Sequence, residues 1–310
     1  MSDANSGSTS KANPQTPEVR TLFECVVNVS EGRDHATIDA LASEGDPTTI
    51  DVHSDPHHNR TVLTLAGSRE ILGGAIRRIA ALAVERIDIR VHSGAHPRLG
   101  ALDVVPFVDL SELAWSGPSP SPASPPVPGT GACEQRDEFA RWASERLGLP
   151  CFLYGDERSL PEVRRSAWRS LDPDVGPSHP HPTAGAAAVG CRPILVAYNL
   201  WLERPDLGAA RAVAAVIRSP RVRALGLAVG SHVQVSCNLL RPFEFGPGRV
   251  YDAVEQHLPV ARAELVGLIP RAVLHAEAMS RWEQLALSEE STIEARLSQA
   301  GLDGGRFATD

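Results

Sequence analysis

The chain has 310 residues, 42% of them hydrophobic, with a formal net charge of -8 and a pI near 5.8. That length supports one large domain or two small ones around a sizeable core. The acidic balance speaks against a nucleic-acid partner, which calls for a basic field, and no apolar stretch reaches the roughly 20 residues of a membrane span.

Residues 1–19 are Ser, Asn, Thr, Pro and Gly with almost no large apolar side chain, and predict a disordered tail. The N-terminus lacks an apolar h-region, so the expected location is the cytoplasm. Leu22 to Val29 is an apolar, β-branched run and predicts a strand. A short helix follows over about 35–44, then strands at Thr48–His53 and Asn59–Ala66. Ser68 is placed as an N-cap, and Ile71, Leu72, Ala75, Ile76, Ile79, Leu82 and Ala83 follow at helical spacing. Ala101–Val108 predicts a fourth strand.

The segment Ser116–Gly131 carries six prolines and reads as a surface loop. Glu134–Leu147 predicts a helix, Cys151–Tyr154 a short strand, and Pro161 opens a further helix. The second half repeats this order. Ile194–Leu200 predicts a strand and Asp206–Arg218 a helix. Leu225–Val229 and Val233–Leu239 predict strands joined at Gly230-Ser231. Val250–His257 predicts a helix, Ala263–Leu268 a strand, and a long helix is expected from Pro270 to about Ala300. Both halves read β-α-β-β-α-β. The predicted fold is α/β (α+β), with two similar subdomains whose sheets face each other and whose helices lie outside. The subdomains are drawn at 20–191 and 192–310. A cleft between such halves is a common ligand site.

The cysteines are Cys25, Cys133, Cys151, Cys191 and Cys237. Their odd number, wide spacing and lack of C-x-x-C predict neither a disulfide framework nor a thiolate zinc site. All basic residues except Lys11 are arginine, a bias that reflects coding composition more readily than carboxylate binding.

Four polar clusters fall at predicted element ends. They are Asn28–Arg33, Asp51–Arg60, Val91–Gly100 and Gly176–Gly185. Val91–Gly100 holds His92, His96, Pro97 and Arg98, a poor packing segment suited to a shaped loop. Pro97 restricts the residue before it to an extended backbone. Each cluster alone is a weak signal; together they predict one gathered site. A metal-dependent hydrolase site from His53, His57, His58, His92 and His96 with Asp51 and Asp55 stays open as an alternative. Against it, this region has neither H-E-x-x-H nor H-x-H.

Several of these segments resemble the formiminotransferase family. Glu24–Gly32 is similar to the family's opening strand and loop, and Asn59-Arg60-Thr61-Val62 to its N-R-T-V segment. His96–Val104 resembles the signature H-P-R-M-G-A-L-D-V, differing only at Leu99. Cys151–Gly155, Gly176-Pro177-Ser178, Val235–Leu239 and Leu265–Leu268 extend the resemblance over about 22–303. The chain departs from animal members at Ala95, where they carry Glu, at His53, where they carry Asp, and in the Pro-rich loop.

The resemblance implies a two-subdomain homodimer with a ligand tunnel between its sheets. It implies transfer of a formimino group from N-formimino-L-glutamate to N5 of tetrahydrofolate, with tetrahydrofolate as co-substrate and no metal. It implies His96 as the acid/base. The loop Gly176, Pro177, Ser178, His179, Pro180, His181, Pro182, Thr183, Ala184 and Gly185 is implied to bind the folate. Asn28, Ser30, His53, Arg60 and Arg98 are the further expected binding residues, the two arginines meeting substrate carboxylates. A folate-binding relative without turnover is the alternative within the family. The chain stops soon after Asp303, so no fused cyclodeaminase domain is expected.

Overall fold

The computed structural model describes residues 21–94, 97–114 and 129–302. The predicted tail at 1–19, Ala95 and His96, and most of the Pro-rich segment lie outside the described residues.

The first sheet has strands β1 (Phe23–Val29), β2 (Thr49–Asp55), β3 (Arg60–Gly67), β4 (Leu102–Asp109), β5 (Cys151–Tyr154) and β6 (Ala187–Cys191). Their spatial order is β2-β3-β1-β4-β6-β5. In β1 the side chains alternate. Phe23, Cys25, Val27 and Val29 point into a core shared with helices α1 (His35–Glu44), α2 (Arg69–Arg86) and α3 (Thr130–Leu147). Glu24, Val26 and Asn28 point to the other face. Helix α1 begins where the Asp34 carboxylate accepts from Ala36 N at 3.1 Å. Helix α2 buries Leu72, Ala75, Ile76, Ile79, Ala80 and Ala83, a stripe at the spacing of one helix face. Each such Leu or Ile contributes roughly 1.5–3 kcal/mol of transfer free energy when fully buried.

The second sheet has strands β7 (Val196–Leu202), β8 (Val222–Val229), β9 (His232–Leu239) and β10 (Val260–Val266), ordered β10-β7-β9-β8. Helices α5 (Leu207–Ile217) and α6 (Pro247–Glu255) cover one face of it. Each sheet therefore has one helix-covered apolar face, and the two remaining faces oppose each other. His53 on edge strand β2 reaches Glu264 on edge strand β10. Thr64 of β3 lies beside Gly267 just past β10, and His57 beside Gly230 in the β8–β9 turn. At the other edge, β5 lies near β8 across a cavity. An apolar plug of Leu22, Ile50, Ala66, Val108, Ile194, Leu268, Ile293 and Leu297 closes one end of this inter-sheet space.

Three sequence expectations are corrected. Strand β6 was not predicted; it enters parallel between β4 and β5. Its composition, Ala-Ala-Val-Gly-Cys, has weak strand propensity. The small residues serve close packing instead, since a Cβ on Gly190 would penetrate the Tyr154 ring. The long helix after Pro270 is also absent. The segment breaks into α7 (Arg271–His275), single 3-10 turns at Met279–Arg281 and Glu289–Ser291, and α8 (Ile293–Gln299). Ala286 adopts φ +52°, which no helix tolerates, and Ser288 and Thr292 cap the elements that follow. Finally, Cys133 and Cys191 are joined, with sulfurs 2.13 Å apart, and tie the first turn of α3 to the end of β6. Sequence spacing gave no hint of a pair 58 residues apart.

Candidate active site

The centre of the site is Asp103 on β4, only 1% exposed. Its Oδ1 accepts from Leu99 N at 2.7 Å. Its Oδ2 accepts from Arg60 Nη1 at 3.0 Å and from Arg164 Nη2 at 2.7 Å. Arg164 belongs to α4 (Leu160–Ser166), and its Nη1 also donates to Pro97 O at 2.7 Å. Burial alone would raise the Asp103 pKa; the charges of Arg164 and Arg60 outweigh it and hold the carboxyl below its usual range. Arg60 is lowered to about 10, chiefly by burial, and so stays charged at neutral pH. One buried carboxylate thus clamps both ends of the loop 97–99 through charge-assisted bonds.

The other clusters close around this clamp. Arg60 Nε and Nη2 donate to Asn28 Oδ1 at 3.0 and 2.6 Å. Ser30 Oγ donates to Gly100 O at 2.8 Å. Asn59 is buried with φ +49°, a left-handed conformation that Asn adopts more readily than most residues. Its Oδ1 accepts from Gly32 N at 2.9 Å and its Nδ2 donates to Ser93 O at 3.0 Å. Arg98 Nη2 donates to His58 O at 3.1 Å, and its Nη1 meets the His92 ring. Burial first, and Arg98 second, push the His92 pKa down.

The loop Gly176–Gly185 arrives from the far side. Gly176, Pro177, Ser178, His179 and Pro180 form its outer run, with Gly176 against Ser144 and Leu149. The inner end, His181–Gly185, docks on the signature loop. Ala101 N donates to Ala184 O at 2.9 Å, and Ile89 N to Thr183 O at 2.8 Å. Gly185, at φ +72°, approaches Leu99 O too closely for any side chain. Inside the loop, the His181 ring accepts from Ala184 N at 3.0 Å.

The four clusters therefore meet at one end of the inter-sheet space. A profile for the formiminotransferase domain, N-terminal subdomain, matches residues 22–192, which contain all of them. The chain belongs to the formiminotransferase family. It is a transferase of one-carbon metabolism. It is 32% identical to a glutamate formimidoyltransferase of Streptococcus pyogenes serotype M1 over 288 residues, covering 82% of this chain and 90% of that protein. Identity is 30% to a glutamate formimidoyltransferase of Thermoplasma acidophilum, covering 90% and 98%. Identity is 32% to the formimidoyltransferase-cyclodeaminase of Rattus norvegicus over 91% of this chain, which spans 57% of that longer protein.

In this member of the formiminotransferase family, His53 lies on the same face as Arg60, and two strand positions from Asp55, which pairs with Arg60 in the sheet. Its Nε2 is 3.7 Å from Glu264 Oε1. Glu264 Oε2 accepts from Asn199 Nδ2 at 3.0 Å and Trp201 Nε1 at 2.8 Å, and Arg262 stacks on Trp201 at 4.3 Å. Arg60 and Arg98, predicted to meet substrate carboxylates, hold protein acceptors here. Thr64 Oγ1 and Gln234 Oε1 are buried without a partner among the described residues and lie on the opposed faces of the two sheets. His96 lies outside the described residues. No group of three or more His, Cys, Asp or Glu is placed to hold a metal among the described residues.

Sequence reasoning missed Asp103 as the clamp, although it sits inside the quoted signature. It also missed Arg164 and Glu264. Glu264 had a signal: Val-Ala-Arg-Ala-Glu carries charges on the face opposite the buried Ala263, as expected for a strand lining a polar channel. Arg164 had none.

Proposed function

We propose that the chain transfers the formimino group of N-formimino-L-glutamate to N5 of tetrahydrofolate, with His96 as the acid/base. One observation carries this reading. The segment that follows His96 is clamped by buried Asp103, through Leu99 N and Arg164, at the meeting point of all four loops.

The chemistry asks for little else. N5 attacks the formimino carbon and forms a C–N bond. The tetrahedral adduct then collapses with cleavage of the bond to the glutamate nitrogen. N5 loses a proton and the departing nitrogen gains one, so a single imidazole can carry it between them. A histidine titrating near pH 6.5 suits that task. Such acid/base assistance contributes about 10²–10⁴-fold. Holding both substrates between two sheets supplies further rate through proximity. Asn28, Ser30, His53, Arg60, Arg98 and the loop Gly176–Gly185 shape the binding space, with tetrahydrofolate as co-substrate. The Thr64 and Gln234 oxygens, unpartnered among the described residues, are two of the polar groups facing a heterocycle that lies between the sheets.

The reading takes the protein as a cytoplasmic homodimer on the family resemblance, divided into subdomains 20–191 and 192–310. Among the described residues no helix is long and apolar enough to cross a membrane. The test is formimino transfer by wild type and His96→Ala, run beside a folate titration. We expect turnover to fall 10²–10⁴-fold with folate binding retained. Unchanged turnover removes His96 from the mechanism; binding by wild type without turnover favours a folate-binding relative.

A further inference from the structure

The open edges of the two sheets, β5 and β8, enclose a cavity of about 280 Å³. Functional pockets for whole drug-sized ligands run to roughly 300–1,000 Å³, so this space suits one part of a substrate. Its charged lining is Arg158, Arg192, Arg223 and Arg241 against the single carboxylate of Asp156. Two of the four cations are already answered. Arg158 bonds Asp174 at 2.6 Å and Arg241 bonds Glu244 at 3.2 Å. Arg192 donates to the carbonyl of its neighbour Pro193, at 2.9 Å, makes no other side-chain hydrogen bond among the described residues, and has buried Glu24 as its electrostatic partner. Arg223, on the channel face of β8, makes no hydrogen bond or ion pair to any described residue. Its side chain is solvent-exposed at the cavity rim; the desolvation it does feel lowers its pKa, with Tyr154 and Glu162 as its electrostatic partners.

This arrangement contrasts with the clamp, where Arg60 and Arg98 already serve protein oxygens. The cavity is joined to the clamp through Tyr154. Its phenol lines the cavity and feels the charges of both Arg164 and Asp103. Both substrates of the proposed reaction carry a glutamyl group with two carboxylates. Guanidinium forks match carboxylates in bidentate fashion. We propose that this cavity is the subsite for a substrate glutamyl group, with Arg223 and Arg192 as its carboxylate ligands. The inference rests on the proposed formimino transfer and names the part of the molecule that recognises its anionic end.

The experiment compares wild type, Arg223→Met, Arg223→Lys and Arg192→Met in three arms. The first measures the donor KM at saturating tetrahydrofolate. The second measures binding of tetrahydrofolate against tetrahydropteroate, which lacks the glutamyl group. The third is a calorimetric titration with L-glutamate, which needs no turnover. Loss of a charged hydrogen-bond donor weakens binding roughly 10–100-fold. A rise confined to donor KM assigns the donor's glutamyl group to the cavity. Weaker folate binding with unchanged tetrahydropteroate binding assigns the folate tail. Arg223→Lys is expected to recover part of the loss. Glutamate binding that is lost in Arg223→Met keeps the subsite even if wild type shows no transfer, and that pattern sinks the transfer reading alone. Values within twofold of wild type in all three arms, for both methionine variants with native circular dichroism, overturn the proposal.

Discussion

Arg164 and Asp103 stand 61 positions apart in the chain, yet Nη2 and Oδ2 lie 2.7 Å apart in the buried heart of the site. The same carboxylate holds Arg60, 43 positions away. Removing it leaves two cations facing each other with no counter-charge between them.

Asp103→Ala is therefore expected to lower unfolding free energy by about 3–5 kcal/mol, the cost of breaking a buried ion pair from one side, and to abolish transfer. Because the folded pKa of Asp103 is depressed, its stabilisation is present above the unfolded carboxylate value and is lost as pH falls through the folded one. Urea melts from pH 7 down to pH 3 check this: wild type should show an acid-dependent loss that Asp103→Asn lacks. Parallel curves would remove Asp103 as the clamp.

His53 and Glu264 join the outer edges of the two sheets at 3.7 Å. His53→Asp places two carboxylates at this contact and is expected to destabilise the protein by about 0.5–2 kcal/mol; Glu264→Gln in that background should recover most of the loss. A double-mutant cycle on thermal unfolding measures the coupling. A coupling energy near zero means the two residues do not communicate across the channel.

Burial, and then the neighbouring Arg98 charge, push the His92 pKa down. Its folded pKa lies below its unfolded value, so this group contributes stability above the unfolded pKa that is lost as pH falls through the folded one. Proton NMR should place the His92 titration below about 6.5, and Arg98→Met should move it upward. An unshifted ring in wild type contradicts the packing of His92 against Arg98.

Cys25, Cys151 and Cys237 are free and buried, and burial pushes Cys151 and Cys237 up to about 12. The thiolate is the reactive form, so native protein should resist alkylation. In denaturant without reductant, thiol titration should count three groups, and five after reduction. Five groups before reduction would show Cys133 and Cys191 as thiols in solution.

Much of the architecture was legible because burial imposes a period on each element separately. The alternation in β1, the stripe of α2 and the capping aspartate of α1 can each be read from a single window of sequence. Strand β6 escaped because its side chains are too small to write a pattern, and Gly190 is chosen for the Tyr154 ring above it. The broken C-terminal segment escaped because helical spacing persists through Ala286 although its backbone turns left-handed there.

The sequence by itself determined that His, Pro, Gly and Arg would collect in four loops at element ends, since such residues pack poorly inside strands and helices. It also determined the two-fold repetition of β-α-β-β-α-β, because hydrophobic period is a local property. Only the tertiary structure decided which charges answer one another. Asp103 selects Arg60 and Arg164, His53 meets Glu264, and Arg223 is left without a partner among the described residues, because stacking two sheets brings together positions that share no local period and no proximity along the chain.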